Sequence, residues 1–162
     1  MRKLGIIAVL ALMVTALAAV PALAASPHFQ AKNTSVSGPN ANGDLTVSFR
    51  IAGLGNDLDS VRITLTSDAS AVYACRNNGG NFPSDPKKKT VSTAVSVSGT
   101  FPVHNGSASG SLTLSPPDST LNCPGGQHAV LAQITYSDVT LSGGGDSVKL
   151  GDFQRTFFPR VV

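Results

Sequence analysis

The sequence predicts an all-β domain: an antiparallel sandwich of about seven or eight strands closed by one disulfide. Three observations predict it. Apolar residues recur at every second position in segment after segment, and that period marks a strand with one buried face. Beyond residue 24, Ser, Thr, Val and Gly dominate, while Leu and the charged helix formers are fewer; Thr and Val favour strands, and Ser is a poor helix former. The only cysteines, Cys75 and Cys123, stand far apart, which suits a structural staple rather than a closely spaced redox or metal pair.

The N-terminus is read separately. Arg2 and Lys3 precede an apolar run over residues 4–20, followed by Pro21-Ala22-Leu23-Ala24-Ala25. A basic start, an apolar stretch and small residues at the cleavage positions define a secretory signal peptide over residues 1–24. Read instead as an uncleaved anchor, the run is at the short end for a bilayer core of ~30 Å. Residues 25–162 then form a single domain of ordinary size. The chain holds 12 Lys+Arg against 9 acidic residues. Without Arg2 and Lys3 the balance is ten against nine, and every acid is Asp. Such a near-neutral domain gives no footprint for nucleic acid. Export carries Cys75 and Cys123 into an oxidising compartment. Their bond closes a loop of about 48 residues, which chain-entropy arguments value at roughly 4 kcal/mol.

The strands follow in order. Leu45, Val47, Phe49 and Ile51 alternate with polar partners. Val61, Ile63 and Leu65 form the next set, then Ala71, Tyr73 and Cys75. Val91 to Val97 continue in phase to Phe101 and Val103, a long or bent strand in which Gly99 and Pro102 mark a bend or an edge. Ala108, Gly110, Leu112 and Leu114 alternate, as do Val130, Ala132, Ile134 and Tyr136. Parity slips before Val139 and Leu141, which predicts a bulge near Ser137-Asp138. A last strand covers residues 148–150 and, after a second slip at Gly151, residues 153–158. An N-terminal strand is expected near residues 29–36. Asn42-Gly43 and Asn105-Gly106 read as hairpin turns.

Two irregular segments stand out, residues 76–89 and 115–127. Each contains or adjoins one cysteine, so the disulfide is expected to tie both loops at one end of the sandwich. Rigidly held loops are where binding residues concentrate. The candidate binding residues are Asn78, Lys87, Lys88, Lys89 and Gln127. The lysine run suits an anionic polymer or lipid head groups.

Catalytic groupings are tested and set aside. Gly145-Asp146-Ser147 resembles the surroundings of a serine nucleophile, but Val148 and Lys149 follow it, and His28, His104 and His128 lack triad context. It reads as a turn opening the last strand. Asp57 and Asp59 offer oxygens to Ca²⁺, but the full loop pattern is missing and a solvated loop is the better reading. No catalytic residue, metal or cofactor is expected. Aromatics are few and Trp is absent, which argues against sugar and base stacking.

Asp68-Ala69-Ser70-Ala71-Val72-Tyr73-Ala74-Cys75 resembles the D-x-A-x-Y-x-C signature of immunoglobulin variable domains. It departs from that signature in placing the first cysteine where the second belongs, and in lacking the core Trp. Residues 105–114, Asn-Gly-Ser-Ala-Ser-Gly-Ser-Leu-Thr-Leu, are similar to a hairpin of the neocarzinostatin family of secreted chromophore apoproteins, which carry two disulfides rather than one. Tyr73-Ala74-Cys75, Gly79-Gly80-Asn81, Ser98-Gly99-Thr100-Phe101, Ser111-Leu112-Thr113-Leu114 and Cys123-Pro124 with Gly126-Gln127 resemble uncharacterised secreted proteins of actinobacteria and similar bacteria. These resemblances imply an immunoglobulin-like sandwich in a bacterial, extracellular setting. The expected function is a non-enzymatic module that binds an extracellular protein or envelope polymer, with no membrane contact after signal cleavage. The alternatives are a small-molecule carrier with an apolar cleft between the sheets and a small secreted hydrolase.

Overall fold

A computed structural model describes residues 26–162; the expected signal peptide over residues 1–24 lies outside the described residues. Eight strands form two antiparallel sheets. They are β1 (His28–Phe29), β2 (Ser35–Ser37), β3 (Leu45–Ala52), β4 (Ser60–Asn77), β5 (Lys88–Pro102), β6 (Ser107–Leu114), β7 (Gln127–Gly143) and β8 (Asp146–Thr156). In the smaller sheet β3 is central. It pairs with β6 on one side and with β1 and β2 on the other. The larger sheet runs β5-β4-β7-β8. The connectivity is that of an immunoglobulin-like sandwich, with the fourth strand of the plan, β5, placed beside β4 in the larger sheet.

Alternation builds the core as expected. Leu45, Val47, Phe49 and Ile51 of β3 face Val61, Ile63 and Leu65 of β4 and Ile134, Tyr136, Val139 and Leu141 of β7, all buried. Two sequence expectations merge: the segments starting at Val61 and Ala71 are one 18-residue strand, β4. One divides: the N-terminal strand is interrupted by a 3-10 turn at Ala31–Asn33, leaving β1 and β2 at opposite ends of β3. The expected bulge is present. Asp138 has φ 52°, and the register of β7 slips between Tyr136 and Val139 against β8, and opposite Thr66 and Asp68 on β4. The buried Ser67 hydroxyl donates to Ser137 O at 2.7 Å within this bulge.

Asn105-Gly106 makes the expected tight turn. His104 and Ser107 exchange both backbone hydrogen bonds, and both central residues have positive φ, the geometry that Asn-Gly favours. The strands it joins nonetheless part company: β5 pairs with β4 and β6 pairs with β3. The turn is a corner between sheets, not the end of a ladder. Phe101 decides this. Its ring packs edge-to-face on Phe49 at 5.0 Å and occupies the space a side chain at Gly110 would fill. Alternation requires an inward residue at Gly110; only hydrogen leaves room for the ring.

At the other end of the sandwich, Tyr136 is fully buried, and its hydroxyl donates to Gly43 O at 2.9 Å. This bond ties β7 to the turn that opens β3. Burial, with Asp44 and Tyr73 adding smaller contributions, pushes the phenol well above its ordinary pKa of 10.0.

Two outcomes are expected. Gly110→Ala forces the Phe101 ring out of place and lowers unfolding free energy by about 1–3 kcal/mol in denaturant titration. Tyr136→Phe leaves the Gly43 carbonyl without its donor and costs about 1–3 kcal/mol at neutral pH. Above pH ~10 the unfolded chain releases the Tyr136 proton while the folded chain keeps it, so stability falls as pH rises. Unfolding curves across alkaline pH should show a shallower fall in Tyr136→Phe.

Candidate functional site

The candidate site is the end of the sandwich where the loops after β4 and β6 meet. β4 ends in Asn77, whose side chain accepts from Asn81 N at 2.8 Å and whose carbonyl accepts from Gly80 N at 3.0 Å. These bonds fold residues 77–81 back on themselves, as Asn and Gly in sequence allow. The chain then passes Phe82 and Pro83 and returns to β5, where Cys75 N donates to Lys87 O at 2.9 Å.

The second loop, residues 115–126, is fastened at three points to the first loop and to the end of β4 that leads into it. Cys123 bonds to Cys75 across 48 residues of sequence. The Lys87 ammonium donates to Asn122 O at 2.9 Å. Asn78 N donates to Gly126 O at 3.2 Å. A fourth tie comes from Tyr73, whose hydroxyl donates to Pro117 O at 2.6 Å. Burial first, and the nearby Asp118 second, raise that phenol's pKa. The Tyr of the octapeptide over residues 68–75 thus fastens a loop. The octapeptide sits on β4, however, and its Cys joins a strand to a loop rather than one sheet to the other.

All five sequence-proposed residues come to this end, with changed roles. Asn78 is exposed beside Gly126. Gln127 opens β7, paired with Asn77 and half-buried. Lys87 is structural, because its charge caps a loop carbonyl. Lys88 and Lys89 are not a loop tip: they open β5, opposite Ala74 and Tyr73, and are exposed.

Sequence reasoning missed a second contribution, from the C-terminus. The expected last strand stops at Thr156. The Phe157 and Phe158 amides both donate to Ala132 O, at 2.8 and 3.2 Å, and the tail crosses the outer face of the larger sheet. Val161 seals a small second core over Ala74 and Ala132. Phe158 meets Phe82 of the β4–β5 loop at 5.0 Å, and the Arg76 guanidinium lies over both rings, at 5.3 and 5.7 Å. Its Nε donates to Gly80 O at 2.7 Å. A groove of about 420 Å³ remains between loop and tail, lined by Asn81, Phe82, Pro83, Arg160 and Val161 among others. The signal was present. Residues 71–75, Ala-Val-Tyr-Ala-Cys, are apolar without alternation, the pattern of a strand covered on both faces.

Electrostatically this end is basic. Arg76, Lys87, Lys88, Lys89 and Arg160 gather here against Asp85 and Asp118. Among the described residues no three His, Cys, Asp or Glu side chains converge to hold a metal ion. Asp57 and Asp59 sit exposed at the opposite end. Asp146 opens β8 as expected of a turn, and its carboxylate accepts from Phe29 N at 2.8 Å, fixing β1.

Fold and site together define a class of protein: an antiparallel β-sandwich with two long loops held by disulfide and hydrogen bonds at one basic end. No family model, curated protein or solved structure matches the chain.

Reducing the disulfide is expected to cost roughly 2–4 kcal/mol. Hydrogen exchange should accelerate most in residues 78–87 and 115–126, while β3 and β6 stay protected.

Proposed function

We propose that the chain is an exported, non-enzymatic extracellular module that binds an anionic envelope polymer or a protein partner through its stapled end. One observation carries the reading: the loop over residues 115–126 is fixed at four points to the end of β4 and to the loop that follows it, beside a groove that Arg160 lines. Fixing loops in advance lowers the ordering cost of binding, and a local excess of cations favours anionic ligands. A disulfide-tied domain suits an oxidising compartment, and no helix among the described residues is long and apolar enough to cross a membrane.

The interior favours this reading over the carrier reading. Phe29, Phe49 and Phe101 stack edge-to-face between the sheets, where a chromophore would need open space. The placement of His28, His104 and His128 on β1, the β5–β6 turn and β7 favours it over the hydrolase reading.

The test is retention of purified anionic wall polymer, and of the host's secreted proteins, on the immobilised chain from Ala25. The variant Lys88→Ser/Lys89→Ser/Arg160→Ser serves as control, with Lys87 kept because it holds the loop. The expected result is retention that falls about tenfold in the variant and weakens with salt. No retention of polymer or protein overturns the proposal.

A further inference from the structure

A sheet edge presents a row of unpaired N–H and C=O groups, and proteins blunt such edges with charges, proline, bulges or brevity. Two of the four edges here are blunted. β8 slips register at Gly151 and carries Lys149, Asp152 and Arg155. The edge opposite β6 is broken between β1 and β2 by the 3-10 turn. β6 is 8 residues long, about half of β5, and lies against β5 itself, whose Phe101 ring covers its Gly110. β5 is different. It runs for 15 residues, in unbroken register with β4 from Ser60–Pro102 to Ala74–Lys88, and among the described residues β4 is its only partner strand. From Thr90 to Thr100 it has no charge and no proline.

The charges near β5 are divided between its ends. Lys88 and Lys89 open the strand. Asp57 and Asp59 stand beside its close, where Val103 N donates to Asp59 O at 2.9 Å and Ser60 pairs with Pro102. All four side chains are exposed, and none has an ion-pair or hydrogen-bond partner among the described residues. Arg62 also lies toward the acidic end, on the outer face between buried Val61 and Ile63. Asp85 and Asp118 lie in the loops at the basic end.

The geometry points to a second copy of this chain as the occupant of that edge, with the two β5 strands antiparallel about a two-fold axis near Val95. The two four-stranded sheets then continue as one of eight. Antiparallel pairing brings the Lys88–Lys89 end of each copy to the Asp57–Asp59 end of the other. Parallel pairing would set lysine against lysine. An axis normal to the sheet keeps inner face beside inner face, so the half-buried Val91, Val95 and Val97 of both copies form one row. Strand pairing alone makes a small interface, so the dimer is concentration-dependent, and its exposed charge pairs are screened by salt. Lys88 and Lys89 serve both readings, but the dimer is read on purified chain alone, with no polymer or partner present, so the two fail separately.

The experiment is sedimentation velocity on the chain from Ala25, from low micromolar to millimolar, at low and high salt. Two charge reversals, Lys88→Asp/Lys89→Asp and Asp57→Lys/Asp59→Lys, are compared, with thermal melting to show that each folds. The expected result is a dimer at low salt, association weakened about tenfold in each variant, and recovery when the two variants are mixed, since every facing end is then of opposite sign. A monomer at all concentrations overturns the proposal and leaves the edge to a strand of another protein. A dimer indifferent to both reversals, or a mixture that does not recover, overturns it in favour of another face.

Discussion

The separation of the two sheets is set where the Phe101 ring meets the bare backbone of Gly110. The sheets are distinct hydrogen-bonded sets, so side chains must hold them together. The chain passes from one sheet to the other through a two-residue turn at Asn105-Gly106. So short a link leaves β5 and β6 almost touching, and the last inward residue of β5 must fit into a gap in β6. The Phe29–Phe49–Phe101 stack extends that contact across the core.

The opposite end is closed by polar means. Tyr136 reaches the turn before β3, and Tyr73 reaches the loop after β6. Each hydroxyl satisfies a carbonyl that packing would otherwise leave without a donor. The disulfide and Lys87 add to this. The molecule therefore has one end sealed by aromatic packing and another by staples, and the longer loops sit at the stapled end. Around them Arg76 of β4, Lys88 and Lys89 of β5 and Arg160 of the tail make that end basic, whereas Asp57 and Asp59 lie at the aromatic end. This polarity links the two functional ideas: a cationic end for a ligand, and an edge strand whose two ends complement each other.

The strands were legible because burial of one face writes a period of two into the sequence. Leu45 to Ile51 and Val61 to Leu65 needed no other information. The bulge at Ser137-Asp138 was legible for the same reason, since a break in parity is a break in facing. The site was legible in part. Asn78, Gln127 and the lysines do gather at one end, because the cysteines mark where their loops must join. That Lys87 caps a loop carbonyl and that Lys88 and Lys89 open β5 rather than belong to an irregular segment was not legible, since nothing local distinguishes a solvated lysine from one capping a carbonyl or opening an edge strand.

The sequence by itself determined the all-β class, the buried face of each long strand, the turn at Asn105-Gly106 and the pairing of the only two cysteines. These are local or forced: they follow from alternation, from turn chemistry and from a count of two. The tertiary structure alone decided which sheet each strand joined, that the turn became a corner, and that the tail from Phe157 crossed back over Ala74 and Ala132. Those outcomes depend on contacts between distant segments, such as Phe101 with Gly110 and Phe158 with Phe82. The free energy of such a contact belongs to the pair, and neither residue's neighbours along the chain encode it.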